Sequence, residues 1–148
     1  MAIFIEFTYW LGKLHPALVH FPIALLITGA VAEAIWLFTD RPIFHAASRF
    51  CIWCGAVTAV FGTMTGWLFG GLRLADDDWV LMAHRWLGTA TTVWACVVLL
   101  ASELSCRSVH SRTARVWFRA CLFIGIVLVG MTGYFGGALI YGIDHYAW

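Results

Sequence analysis

Four long apolar runs separated by short polar breaks dominate the chain. They cover Ala17–Phe38, Ala47–Leu68, Val80–Leu100 and Val116–Leu139, and each has the ~20 residues a helix needs to cross a hydrocarbon core. The breaks are Thr39-Asp40-Arg41-Pro42, the stretch from Arg73 through Asp76-Asp77-Asp78, and the stretch from Glu103 to Arg115. Connections this short make successive helices antiparallel neighbours. The pattern therefore predicts an all-α integral membrane protein. Residues 1–148 form a single four-helix transmembrane domain, up-down-up-down. The runs are continuous rather than alternating, which argues against a β-barrel. Ahead of the first span, in residues 1–14, Ile3, Phe4, Phe7, Trp10 and Leu11 fall at helical spacing and predict a short interfacial helix. This segment has neither the basic region nor the small-residue cleavage site of a signal peptide.

Composition sharpens the class. Of 148 residues, 62% are hydrophobic and 11% charged, where a soluble domain runs near 45–50% and 25%. Mean hydropathy is +0.86. A formal net charge of +1 without a basic stripe excludes nucleic-acid binding as a main role. Dense apolar runs with 11 Phe, 9 Trp and 4 Tyr exclude disorder. Orientation follows from loop cations. Arg41, Arg49, Arg107, Arg112, Arg115 and Arg119 lie on the side of the first and third connections; Lys13, Arg73 and Arg85 lie with the termini and the second connection. The excess predicts both termini on the outer, periplasmic side of a bacterial inner membrane.

The cysteines carry less information. Cys51-Ile-Trp-Cys54 has redox-motif spacing, but no His follows as in a c-type haem site, and Cys96, Cys106 and Cys121 are scattered. Packing between helices is their expected role, with a redox pair at Cys51 and Cys54 as the alternative.

An internal repeat organises the candidate chemistry. Met64-Thr65-Gly66-Trp67 at the end of the second span resembles Met131-Thr132-Gly133-Tyr134 at the end of the fourth, and each preceding span carries a His near its start, His20 and His84. The chain reads as two helical hairpins in parallel repeat about an axis along the membrane normal. His15, His20, His84 and His145 all fall toward the outer face. Ionisable groups inside spanning segments are costly and mark sites that face the bundle interior. The first and third helices stand diagonally, so His20 and His84 are the expected pair across the axis. His15 is the rival for either position, and His145 follows Asp144, a candidate orienting acceptor. Gly62, Gly66 and Gly70, with Gly133 and Gly137, either give a flat cofactor room or seat neighbouring helices. His45 and His110 fall in Arg-rich connections and read as neighbours of the headgroups. Glu33 reads as a snorkelling carboxylate, as the partner of Arg41 or Arg49, or as part of a proton path. Trp10, Trp79, Trp86 and Trp148 mark the outer boundary, and Trp36, Trp53 and Trp117 the inner one.

The segment Leu14-His15-Pro16-Ala17-Leu18-Val19-His20-Phe21-Pro22-Ile23-Ala24-Leu25 resembles the HPxxVHFPIA signature of a family of small bacterial four-helix membrane proteins of uncharacterised function, some fused to c-type cytochrome modules. His84-Arg85-Trp86-Leu87-Gly88 and Gly136-Gly137-Ala138-Leu139-Ile140-Tyr141-Gly142 resemble it too. The resemblance implies the four-helix fold and suggests redox work with a b-type haem, at His15, His20 and His84. This chain lacks CxxCH, so a c-type cytochrome partner would be a separate polypeptide.

Two function classes lead. One is a b-type cytochrome-like electron-transfer subunit with haem b held by His20 and His84, exchanging electrons with a quinone or a membrane complex. The other is a structural or assembly subunit of a respiratory or photosynthetic complex, with its histidines holding helix ends. A non-haem metal site is disfavoured by the scarcity of nearby carboxylates. No nucleophile–base constellation stands out in the sequence, so an accessory role is expected over an enzyme acting alone. The bilayer, other subunits and a second copy of the chain are the expected partners.

Overall fold

The computed structural model describes residues 2–107 and 111–146, and side-chain surroundings for 6–107 and 111–145. His110 and Trp148 lie outside the described residues. Ala2–Gly12 (α1) and His15–Leu18 (α2) lead into His20–Thr39 (α3); Pro42–Phe69 (α4), Trp79–Arg107 (α5) and Arg112–Tyr141 (α6) follow, then a short 3-10 turn at Ile143–Tyr146. No strand occurs among the described residues. Four helical stretches are long and apolar enough to span a membrane, as the apolar runs predict. They outrun those runs: α5 has 29 residues, about 44 Å at 1.5 Å per residue, against a hydrocarbon core of about 30 Å.

Local chemistry explains the breaks. Asp40 ends α3 in the left-handed conformation at φ 50°, and Pro42 opens α4 in its first turn. Asp tolerates that conformation, and Pro lacks only an N–H the first turn leaves unpaired. Asp78 Oδ1 accepts from Val80 N at 2.9 Å and Leu81 N at 3.2 Å, capping α5. Ser111 Oγ accepts from Ala114 N at 3.2 Å and caps α6.

The hairpins α3–α4 and α5–α6 pack against each other, chiefly along the α4–α5 seam. This leaves α3 diagonal to α5 and α4 diagonal to α6. Glycines set the close approach of α3 and α4: a Cβ on Gly55 would meet Leu26 at 3.0 Å, and one on Gly29 would meet Ile52 at 3.2 Å. The core is narrow, with Ile52 and Val98 at its centre. Large apolar side chains face outward instead: Phe38, Phe123 and Ile140 are 85%, 72% and 73% exposed. That distribution suits a bundle solvated by lipid. Hydroxyl pairs cross the seams, Thr63–Thr92 at 2.6 Å and Thr91–Thr132 at 2.8 Å.

Arg85, counted above with the loop cations, is a buried helix residue. It donates to Gly70 O at 2.6 Å and to Arg73 O. Its guanidinium lies 5.1 Å from the Trp67 ring. The cation thereby satisfies carbonyls at the C-terminal end of α4 and ties the second connection to α5.

Candidate functional site

His15 and His84 face each other across the diagonal, with ring centroids 6.1 Å apart and planes at 71°. Each ring is held the same way. His15 Nδ1 lies 2.9 Å from Gly62 O on α4, and His84 Nδ1 lies 3.0 Å from Thr132 O on α6. A carbonyl only accepts, so each Nδ1 carries the proton and each Nε2 is left as a bare lone pair. Among the described residues, the hydrogen bonds of the two rings are those at Nδ1.

Each ring also rests on a glycine. A Cβ on Gly66 would lie 2.8 Å from His15 Cε1, and one on Gly136 would lie 3.0 Å from His84 Cε1. Any larger residue at these two positions would push the ring out of place. The repeat expected from sequence is therefore present in space with a different register. Gly62 corresponds to Thr132 and Gly66 to Gly136, three residues further along α6 than the motif match of Gly66 with Gly133.

The expected His20–His84 pairing is not the one the fold makes. Pro22, Leu26, Gly29 and Glu33 are the buried positions of α3 that share a stripe with His15. His20 is exposed, about 160° around the helix from Pro22 at 100° per residue. Because five residues separate His15 from His20, only one of them can face the axis. Gly133 is exposed, and a Cβ there would meet nothing within 4 Å. Gly70 abuts the Arg85 guanidinium rather than a histidine. His145 is exposed and stacks on Tyr141 at 5.0 Å. Asp144 is exposed, and His15 takes its bond from Gly62 instead.

The opposite end of the bundle holds a second polar group, which the sequence reading left dispersed. Glu33 is buried and accepts from Arg119 Nε at 2.8 Å; neither Arg41 nor Arg49 is its partner. Arg49 instead donates to Glu103 at 2.8 Å. His45, read from sequence as a headgroup neighbour, has protein partners as well: its ring packs on Trp36 at 4.3 Å, with Nδ1 3.7 Å from Glu33 Oε2. These contacts link residues 86 and 54 positions apart, and only helical facing could have signalled them. Among the described residues, no group of three or more His, Cys, Asp and Glu is arranged to hold a metal ion.

A family model described as "Predicted membrane protein (DUF2231)" matches residues 12–145, and the chain belongs to that family. No curated protein and no solved structure matches it.

Proposed function

We propose that this member of the predicted-membrane-protein family is a b-type cytochrome-like electron-transfer subunit of the bacterial inner membrane, with haem held between His15 and His84 and both termini on the periplasmic side. One observation carries the reading: two facing imidazoles, each committed at Nδ1 and uncommitted at Nε2. The ring centroids stand 6.1 Å apart, so both side chains would be within reach of a single haem iron held between them. Carbonyl anchors on the second ring nitrogen are the usual means of fixing the tautomer and orientation of a metal-bound His. When bound, the haem would supply reversible one-electron transfer.

The chain's own residues do the rest. Gly62 O and Thr132 O hold the rings, Gly66 and Gly136 admit them, and the open space beside Gly133 lies on the flanking helix. If both His15 and His84 bound the haem iron, the chain would hold it through two imidazoles, a ligand set suited to electron transfer over catalysis. A two-His donor set is also too small for a non-haem metal site of ordinary coordination number. A separate c-type cytochrome, a quinone or neighbouring complex subunits are the electron partners in keeping with the resemblance noted above.

The test is the reduced-minus-oxidised absorption spectrum of the purified protein, expressed with ample haem supply. The expected result is a low-spin signal, lost in His15→Ala and His84→Ala and kept in His20→Ala. Wild-type protein without haem overturns the proposal, and loss in His20→Ala with retention in His15→Ala overturns the ligand assignment. A structural-subunit reading rests on the same carbonyl bonds, which tie α2 to α4 and α5 to α6. That reading takes over if the histidine variants lose stability equally in protein that never held haem.

A further inference from the structure

At the Glu33 end, four helices each contribute one side chain to a continuous line of contacts. Cys106 Sγ, in the last turn of α5, lies 3.6 Å from His45 Nε2 in the first turn of α4. His45 Nδ1 lies 3.7 Å from Glu33 Oε2 on α3, and Glu33 Oε1 accepts from Arg119 of α6 at 2.8 Å. The Glu33 side chain is 5% exposed, and neither its Oε2 nor His45 Nδ1 has a hydrogen-bond partner among the described residues. A buried carboxylate oxygen left without a hydrogen bond is costly. This one is aimed at an imidazole whose far nitrogen meets a thiol.

Thiol, imidazole and carboxylate in that order form the arrangement that activates a nucleophile: the carboxylate orients the ring, and the ring takes the thiol proton. Trp36 packs on the His45 ring and limits its rotation. The other charged groups that face the line are Arg119 and the Arg49–Glu103 pair, the latter linking α4 to α5 beside Cys106. Cys106 is partly exposed, so a small reagent can reach it.

We propose that Cys106 is a base-assisted reactive thiol, oriented by His45 and Glu33, that forms a mixed disulfide with small water-soluble disulfides. His45 Nε2 accepts the thiol proton as Sγ attacks one sulfur of the small disulfide. A Cys106–sulfur bond forms and the small disulfide's S–S bond breaks. The departing thiolate then takes the proton from His45. Cys106 is oxidised and the small disulfide is reduced to one bound and one free sulfur, with no other oxidant needed. The same line of contacts runs on from His45 through Glu33 to Arg119, joining α3 to α6.

The experiment uses the full chain in detergent with Cys51, Cys54, Cys96 and Cys121 changed to Ser, and an aromatic disulfide, dithiobis-nitrobenzoate, as probe. Second-order rates are followed from about pH 6 to about pH 9, across the range where a thiol ionises. An unassisted thiol is only a few per cent thiolate near neutrality, so His45→Gln should react about tenfold slower at about pH 7, and the gap should close at the alkaline end. Glu33→Gln, uncharged and nearly isosteric, should fall between the two. Identical rates for parent and His45→Gln at every pH overturn the proposal, as does a Cys106 that reacts only after unfolding. If His45→Gln elutes as an aggregate, Glu33→Gln decides: the parent's own profile in that variant overturns the assignment.

Discussion

At one end of the bundle His15 and His84 lend each Nδ1 to a main-chain carbonyl; at the other, Glu33 faces Arg119 and His45. Both ends place polar atoms where lipid or packed helices would make unpaired ones costly, and they meet that cost differently. A carbonyl acceptor is part of the helix and cannot swing away, so it fixes a ring while leaving its second nitrogen free. An ion pair satisfies charge with charge and draws helices together, but each partner becomes a liability when the other is lost. The histidine end is built to present atoms to something else. The Glu33 end is built to hold the bundle shut, with His45 and Cys106 attached to the clamp.

That contrast can be broken by substitution. The largest effect is expected at the clamp: Arg119→Ala leaves the buried Glu33 carboxylate with only His45 beside it and should cost about 3 kcal/mol, the low end for buried pairs because Arg119 is half-buried. Thermal unfolding in detergent reads this loss, and adding Glu33→Gln should recover a good part of it. Absence of any recovery would mean that the two side chains are not coupled. At the histidine end the glycines should differ from one another. Gly66→Leu forces the His15 ring aside and should cost about 1–3 kcal/mol as an overpacked contact. Gly133→Leu, which meets open space, should leave the stability of haem-free protein nearly unchanged while lowering haem content. Equal destabilisation by the two would contradict the placement of His15 on Gly66. The smallest effect is expected between the ends: Thr92→Val removes the hydroxyl pair with Thr63, worth about 0.6 kcal/mol by the average for polar contacts between membrane helices. A much larger loss in the same unfolding assay would show that the seam hydroxyls hold the two hairpins together.

Much of the architecture was legible in the chain. Apolar run length identifies the four spans, because the bilayer imposes a minimum length on any helix that crosses it. The breaks could be read from Asp40-Arg41-Pro42 and from the Asp76–Asp78 stretch, because each supplies local turn or cap chemistry. His84 and His15 were both visible as candidates, but choosing His20 over His15 followed the motif repeat rather than the helical wheel. The stripe Pro22, Leu26, Gly29 and Glu33, counted back by sevens and elevens, selects His15. The cation count treated Arg85, Arg49 and Arg119 as loop charges, and the fold commits all three to particular partners. A count along the chain registers that a cation is present, not which carbonyl or carboxylate it will meet.

By itself, then, the sequence determined the solvent, the number of crossings and the helical state, since hydrophobic length and turn residues act over neighbours in the chain. Only the tertiary structure decided which histidines meet, that Gly136 rather than Gly133 cradles His84, and that Glu33, His45, Cys106 and Arg119 form one line of contacts. Those outcomes depend on the rotation and axial offset of each helix against the next. Packing of small side chains at Gly29 and Gly55 sets these, and a shift of three residues along one helix, nearly a full turn, keeps every span apolar while changing which polar atoms come face to face.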